Sequence, residues 1–174
     1  MAPVPRPDVR VMVDANVLLA GVVFPRWPWE ILRHAVRGDF RLVLCPYVIH
    51  QARRRIAQRF PEFLASFDEF LAHCPHELVP DPAPEDVQAH SGLVRDVTDI
   101  PVALAAIDAC VDYLVSEDKD LTAVDETTEV LRRHVQPLIS GTFLRRVMNW
   151  SSEELETVRR RTWDEIKASE ETAR

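Results

Sequence analysis

The stretch Val11-Met-Val-Asp-Ala-Asn-Val-Leu-Leu-Ala-Gly21 constrains the fold more than any other part of the chain. Three apolar residues rise to a lone Asp14, Asn16 follows two positions later, and a second apolar run begins at once. The pattern predicts a buried strand that ends at a carboxylate. Aspartate is a poor strand residue, and burying its charge costs free energy unless a cation or hydrogen-bond donors meet it. On this stretch alone two roles stay open for Asp14. It caps the following helix by taking amide protons from around Asn16 and Val17, or it belongs to a charged site.

The remaining chain alternates in the same manner. A helix is predicted from about Trp29 to Arg37, closed by Gly38, and Arg41-Leu-Val-Leu44 reads as a second buried strand. Pro46 and Pro61 each open a helix, the first carrying Val48, Ile49, Ala52 and Ile56 and the second Phe63, Leu64, Phe67, Phe70 and Leu71. Glu77 to Pro80 forms a short strand, and a stiff Pro-rich loop leads to a helix from about Glu85 to Gly92. Asp99 stands at the N-cap of a nearly all-apolar helix with Pro101 in its first turn. That helix feeds the strand Tyr113-Leu-Val-Ser116; Val135 to Ile139 is the last strand and Thr142 to Met148 the closing helix. Strands alternating with helices predict an α/β domain built on a central, mainly parallel sheet.

At 174 residues the chain suits one domain, taken as residues 1–150. Residues 151–174 form a charged extension, predicted as one helix that starts at the capping-box spacing Ser151-Ser-Glu-Glu154. Its thin apolar stripe of Leu155, Val158, Trp163 and Ile166 packs on the domain or on a partner. No apolar run reaches the roughly 18 residues that span a bilayer, and the Pro-rich start has no signal-peptide core, so the expected location is the cytoplasm. Cys45, Cys74 and Cys110 read as reduced core thiols. His73-Cys-Pro-His76 lacks the second ligand cluster that a zinc site needs. The net charge of −7 argues against a wide positive nucleic-acid surface but leaves room for a local basic groove. The arginine runs at 53–55, 132–133, 145–146 and 159–161 read first as solvated helix faces or ion pairs.

Asp14 and Asp118 both end strands, and Asp99 starts the helix that leads to the second. In open parallel sheets ligands lie beyond the carboxyl ends of the strands, so these acids converge on one crevice. Three like charges there cannot all stay ionised cheaply; protons or a cation must join them. A hard divalent ion, Mg²⁺ or Mn²⁺, suits such oxygen ligands. It acidifies water and offsets charge on a phosphoryl group, which is the chemistry of phosphodiester hydrolysis.

Three motifs carry a family resemblance: Val-Met-Val-Asp14-Ala-Asn16; Asp96-Val-Thr-Asp99-Ile-Pro-Val-Ala-Leu-Ala-Ala; and Asp112-Tyr-Leu-Val-Ser116-Glu-Asp118-Lys-Asp120-Leu. In this order and spacing they resemble the PIN domain, the nuclease fold of many bacterial toxin–antitoxin ribonucleases, over residues 9 to 148. The resemblance implies a three-layer α/β/α fold and a Mg²⁺- or Mn²⁺-dependent endoribonuclease, with an antitoxin covering the acidic crevice and a homodimer. It implies Asp14, Asp99 and Asp118 as metal-binding catalytic acids, Asn16 and Ser116 as supporting polar residues, and Asp96 and Asp120 as outer candidates. Gln51 departs from the family, which usually places a glutamate there. Glutamine offers a carbonyl oxygen but no charge and is a poor general base.

Two features of the Gln51 helix bear on substrate. His50 points about 100° away from Gln51 and replaces it only if the helix shifts. Arg54 and Arg55 lie one turn along the Gln51 face and are the expected phosphate contacts. Two further readings stand beside the ribonuclease. One is a PIN-like RNA- or protein-binding module that has lost catalysis through Gln51. The other is a phosphotransfer domain with Asp14 as nucleophile, which lacks a second Asp two positions on and a well-placed late lysine.

Overall fold

The computed structural model describes residues 5–174; the Met-Ala-Pro-Val start of the Pro-rich leader lies outside the described residues. The chain runs β1 (Arg10–Val13), α1 (Ala15–Val23), α2 (Trp27–Arg37), β2 (Arg41–Leu44), α3 (Pro46–Arg59), α4 (Leu64–His73) and β3 (His76–Leu78). It continues through α5 (Pro84–Ala89), α6 (Ile100–Asp108), β4 (Tyr113–Val115), α7 (Lys119–Thr122), α8 (Glu129–Arg132) and β5 (Gln136–Leu138). It closes with α9 (Ser140–Arg146), α10 (Ser152–Val158) and α11 (Trp163–Thr172).

The five strands form one parallel sheet in the order β3-β2-β1-β4-β5, with Met12 set between Val43 and Leu114. Val11, Met12 and Val13 are fully buried, as a central strand covered on both faces must be. The architecture is the three-layer α/β/α fold. From β1 the chain winds outward through β2 to β3, then crosses to β4 and β5 on the other side. The strand order thus reverses between β1 and β4, and right-handed crossovers send the connecting helices to opposite faces. Asp14 and Asp118 follow the carboxyl ends of those two strands, the edge where open parallel sheets place their ligands.

Several local expectations shift. α2 starts at Trp27 rather than Trp29, because Pro28 fits the first helical turn and needs no amide partner there. Gly38, at φ 77°, ends it in the left-handed region. Gly21 lets α1 and α2 approach closely, since a Cβ there would lie 2.5 Å from Leu32 Cδ1. Cys45 and Cys74 are buried, and burial pushes both thiols up to about 11. Cys110 is exposed instead of core, because it occupies the left-handed turn between α6 and β4 at φ 53°. His73 and His76 each engage a backbone carbonyl through Nδ1.

The extension folds as two helices, not one. Thr162 opens a second capping box with Glu165 and resets the chain after Arg161. All four tryptophans sit where this tail meets α2. Trp27 Nε1 donates to Leu155 O at 2.8 Å, and Trp163 Nε1 donates to Val23 O at 2.8 Å. Trp163 also meets Trp29 edge-on at 5.8 Å. Arg161 pairs with the buried Glu30 at 2.7 Å while its guanidinium lies 5.0 Å from the Trp29 ring centre. Trp150 Nε1 donates to Nε2 of the buried His34 at 3.0 Å, and burial lowers the affinity of that imidazole for a proton.

Candidate metal centre

Asp14 lies where β1 gives way to α1, and its side chain is 4% exposed. Oδ1 accepts from the Ala15 amide at 2.7 Å, nearer in sequence than the Asn16 or Val17 amide expected of a cap. Oδ2 accepts from the Ser116 hydroxyl at 2.9 Å. Capping and site membership are therefore one arrangement, with one carboxylate oxygen assigned to each. Burial nevertheless raises the Asp14 pKa above the ordinary value. Ser116 is fully buried after β4, and its Oγ also accepts from the Asp118 amide at 3.0 Å. One hydroxyl thus ties the ends of β1 and β4 together and sets the position of Asp118.

Asp99 reaches the crevice from the start of α6. It occupies the N-cap position, as expected, but its side chain caps no helix amide. Its Oδ2 is buried without a hydrogen-bond partner among the described residues. Burial, then the charges of Asp118 and Asp14, raise the Asp99 carboxyl to about 8. Asp96 precedes it in an Asx turn, accepting from the Thr98 amide at 2.9 Å and hydroxyl at 2.8 Å, and those bonds hold its pKa low. Asp120 donates its amide to Asp118 Oδ1 at 2.9 Å. Asp96, Asp99 and Asp120 each bring a carboxylate oxygen within 4.8 Å of the others. The outer candidates thus gather at Asp99, and the charges of Asp118, Asp14 and Asp96 all act on it.

A buried, unpaired carboxylate oxygen with several acids around it fits a hard divalent cation, because oxygen ligands and excess negative charge are what such an ion requires. Protonation of Asp99 is the alternative way to relieve the same repulsion.

The side chains around this cluster divide the remaining expectations. Gln51 is partly buried on α3, and its Nε2 donates to the Tyr47 hydroxyl at 2.9 Å. Tyr47 in turn donates to Thr98 O at 2.7 Å, next to Asp99. Tyr47 was not marked by the sequence, although its spacing of four from Gln51 on one helix face is the signal that finds it. Burial, then Asp99 and Asp14, push its phenol up. The Arg55 charge reaches both Asp14 and Tyr47. His50 and Arg54 are exposed. Asn16 Oδ1 accepts from the Glu117 amide at 3.5 Å, and the Glu117 carboxylate accepts from the Ser140 amide at 2.9 Å, tying the crevice rim to the start of α9. This last bond explains why α9 begins two residues before the expected Thr142.

The PIN domain profile matches residues 10–120, from β1 into α7. No curated protein sequence matches the chain. The fold is similar to that of PAE2754 from Pyrobaculum aerophilum, with a TM-score of 0.57 and 17% identity over 82% of this chain and 97% of that one. It is also similar to a chain of VapBC2 from Rickettsia felis bound to a DNA fragment from their promoter. That match has a TM-score of 0.53 and 13% identity, over 75% of this chain and 98% of the other. The profile match covers more than half of the sequence and contains Asp14, Asp99 and Asp118, and the sheet order and crevice agree with it; this chain belongs to the PIN domain family.

Proposed function

We propose that the protein is a Mg²⁺- or Mn²⁺-dependent endoribonuclease that hydrolyses RNA phosphodiester bonds as the toxin half of a toxin–antitoxin pair. The observation that carries this reading is Asp99, whose buried oxygen lacks a partner while Asp14 and Asp118 press on it electrostatically. Asp14, Asp99 and Asp118 would hold the ion, with Asp96 and Asp120 beside them. A divalent ion bound there supplies a water acidified for attack and neutralises charge on the phosphoryl group. Ser116 fixes the Asp14 carboxylate, Asn16 holds the Glu117 backbone, and Tyr47 steadies the turn that presents Asp99. The VapBC2 likeness supports an antitoxin partner. A cytoplasmic location and a homodimer belong to the same reading, as does the division into a nuclease domain over 1–150 and an extension over 151–174. None of the described helices is long and apolar enough to cross a membrane.

Incubating the purified protein with structured RNA and Mn²⁺ tests the activity. Cleavage that disappears with chelator and with Asp14→Asn is expected, whereas a folded protein inert at every Mn²⁺ concentration overturns the proposal. One observation favours a second reading, a PIN-like binding module without catalysis. Gln51 brings no charge and spends its amide on Tyr47. Calorimetric titration with Mn²⁺ separates the two, since the module binds the ion weakly or not at all. On that second reading Gln51→Glu restores both Mn²⁺ binding and cleavage; on the first, the parent protein already has them.

A further inference from the structure

α1 is buried along its length except for one stripe. Asn16, Ala20 and the capping residue Phe24 are half-buried, at spacings of four that place them on one face. The stripe starts at the crevice, where Asn16 holds the Glu117 amide, and covers about 12 Å at the helical rise of ~1.5 Å per residue. It opens into a groove lined by Phe24, Arg26, Trp27, Glu117 and Arg159. A second groove continues from Trp27 past Ile139 and Thr142 to Arg145 and Arg146. Gly141 lets the Trp27 ring sit between them, because a Cβ there would lie 3.0 Å from its Cζ3.

The charge along this path is unusual for a chain with a net charge of −7. Arg26, Arg145 and Arg146 are exposed, and no acidic side chain pairs with them among the described residues. Arg159 has only an exposed contact to Glu156 at 3.7 Å, of the kind that contributes little. By contrast Arg53, Arg133 and Arg161 are held by Asp68, Glu129 and Glu30. Glu117, the acid that lines the groove, has its carboxylate engaged by the Ser140 amide. Guanidinium groups without acidic partners beside the half-buried rings of Phe24 and Trp27, Arg26 itself lying 5.3 Å from the Phe24 ring centre, suit a single-stranded nucleic acid: phosphates take the arginines and a base edge meets the rings.

We infer that single-stranded RNA leaves the carboxylate crevice along the Asn16–Ala20–Phe24 stripe and lies in the groove of Arg26, Trp27, Arg145, Arg146 and Arg159. This rests on the ribonuclease reading for the chemistry of the crevice and assigns the substrate phosphates to arginines other than Arg54 and Arg55. The test is fluorescence anisotropy of a labelled single-stranded RNA in chelator, where no cleavage occurs. Arg26→Ala with Arg145→Ala and Arg146→Ala weakens binding at least tenfold and lowers the salt slope by about 2, at ~0.7 per lost phosphate contact on a single strand. Melting temperature and Mn²⁺ affinity stay unchanged. The exposed pair Arg145→Glu with Arg146→Glu gives the same loss if the triple variant folds poorly. Unchanged affinity in both variants, a loss confined to Arg54→Ala with Arg55→Ala, or binding of polyglutamate in place of RNA overturns the path. Cleavage with Mn²⁺ is scored separately. A protein that binds RNA through these arginines but never cuts ends the nuclease reading and keeps the path; one that cuts RNA regardless of them does the reverse.

Discussion

Asp99 shows how a single side chain links stability to the site. Its carboxyl is raised to about 8, so between pH ~4 and 8 the metal-free fold holds a proton that the unfolded chain has already lost. The native state binds more protons than the unfolded one over that window, and stability falls as pH rises through it. Asp14, also raised by burial, acts in the same direction. Asp99→Asn removes its share of the penalty. In chelator the variant melts about 2–4 °C higher than the parent at pH 8, equivalent to about 1 kcal/mol, and the difference closes by pH 5. Adding Mn²⁺ reverses the order by stabilising the parent alone, and differential scanning fluorimetry across pH reads both effects. The acids themselves were legible in the sequence, since aspartates at the ends of apolar runs demand partners. The engagement of Gln51 was not, because it depends on Tyr47 reaching a carbonyl 51 residues away on the turn before α6.

At the scale of elements, α2 and the tail form the most specific junction outside the sheet. Glu30 is buried in the first turn of α2, and Arg161 sits against it from the link between α10 and α11. Removing Arg161 leaves the buried Glu30 with only the longer contact to Arg33 at 3.7 Å, which compensates its charge poorly. Arg161→Ala therefore costs about 2 kcal/mol after allowance for the partial exposure of the arginine, read as a lower urea midpoint with an unchanged m-value. Adding Glu30→Leu to Arg161→Leu recovers most of that loss, because both charges then leave together. A paired second variant that stays as unstable as Arg161→Ala shows that the arginine acts through its packing on Trp29 instead. The strands and most helices could be read from apolar runs, prolines and Gly38. The split of the tail could not be, even though Thr162 and Glu165 carry the spacing of a cap. A local cap competes with continuation of the helix, and here Arg161 settles the competition by turning back to Glu30 and Pro25.

Across the whole molecule, the tail and the acidic cluster occupy different parts of one fold. The tail reaches α2 through Trp27, Trp163 and Arg161, whereas the acids hang from the ends of β1 and β4 and the start of α6. Deleting residues 151–174 bares Trp27 and Trp29 and leaves Glu30 with Arg33 alone. The shortened protein is expected to melt several degrees lower, at ~2–4 °C per kcal/mol for a chain of this size, while its Mn²⁺ affinity stays within threefold of the parent. A large loss of Mn²⁺ binding in a shortened protein that still folds shows that the tail shapes the cluster. By itself the sequence determined the α/β alternation, the parallel sheet and the three aspartates of the crevice. These follow from local rules, since burial requires apolar runs of strand or helix period and a buried carboxylate stands out against them. Tertiary structure alone decided that Ser116 joins Asp14 to Asp118, that Asp96 and Asp120 gather at Asp99, that Gln51 serves Tyr47, and that four scattered tryptophans meet on α2. Each of these contacts joins residues by the packing of separate elements, and no local pattern of residue types records which elements will meet.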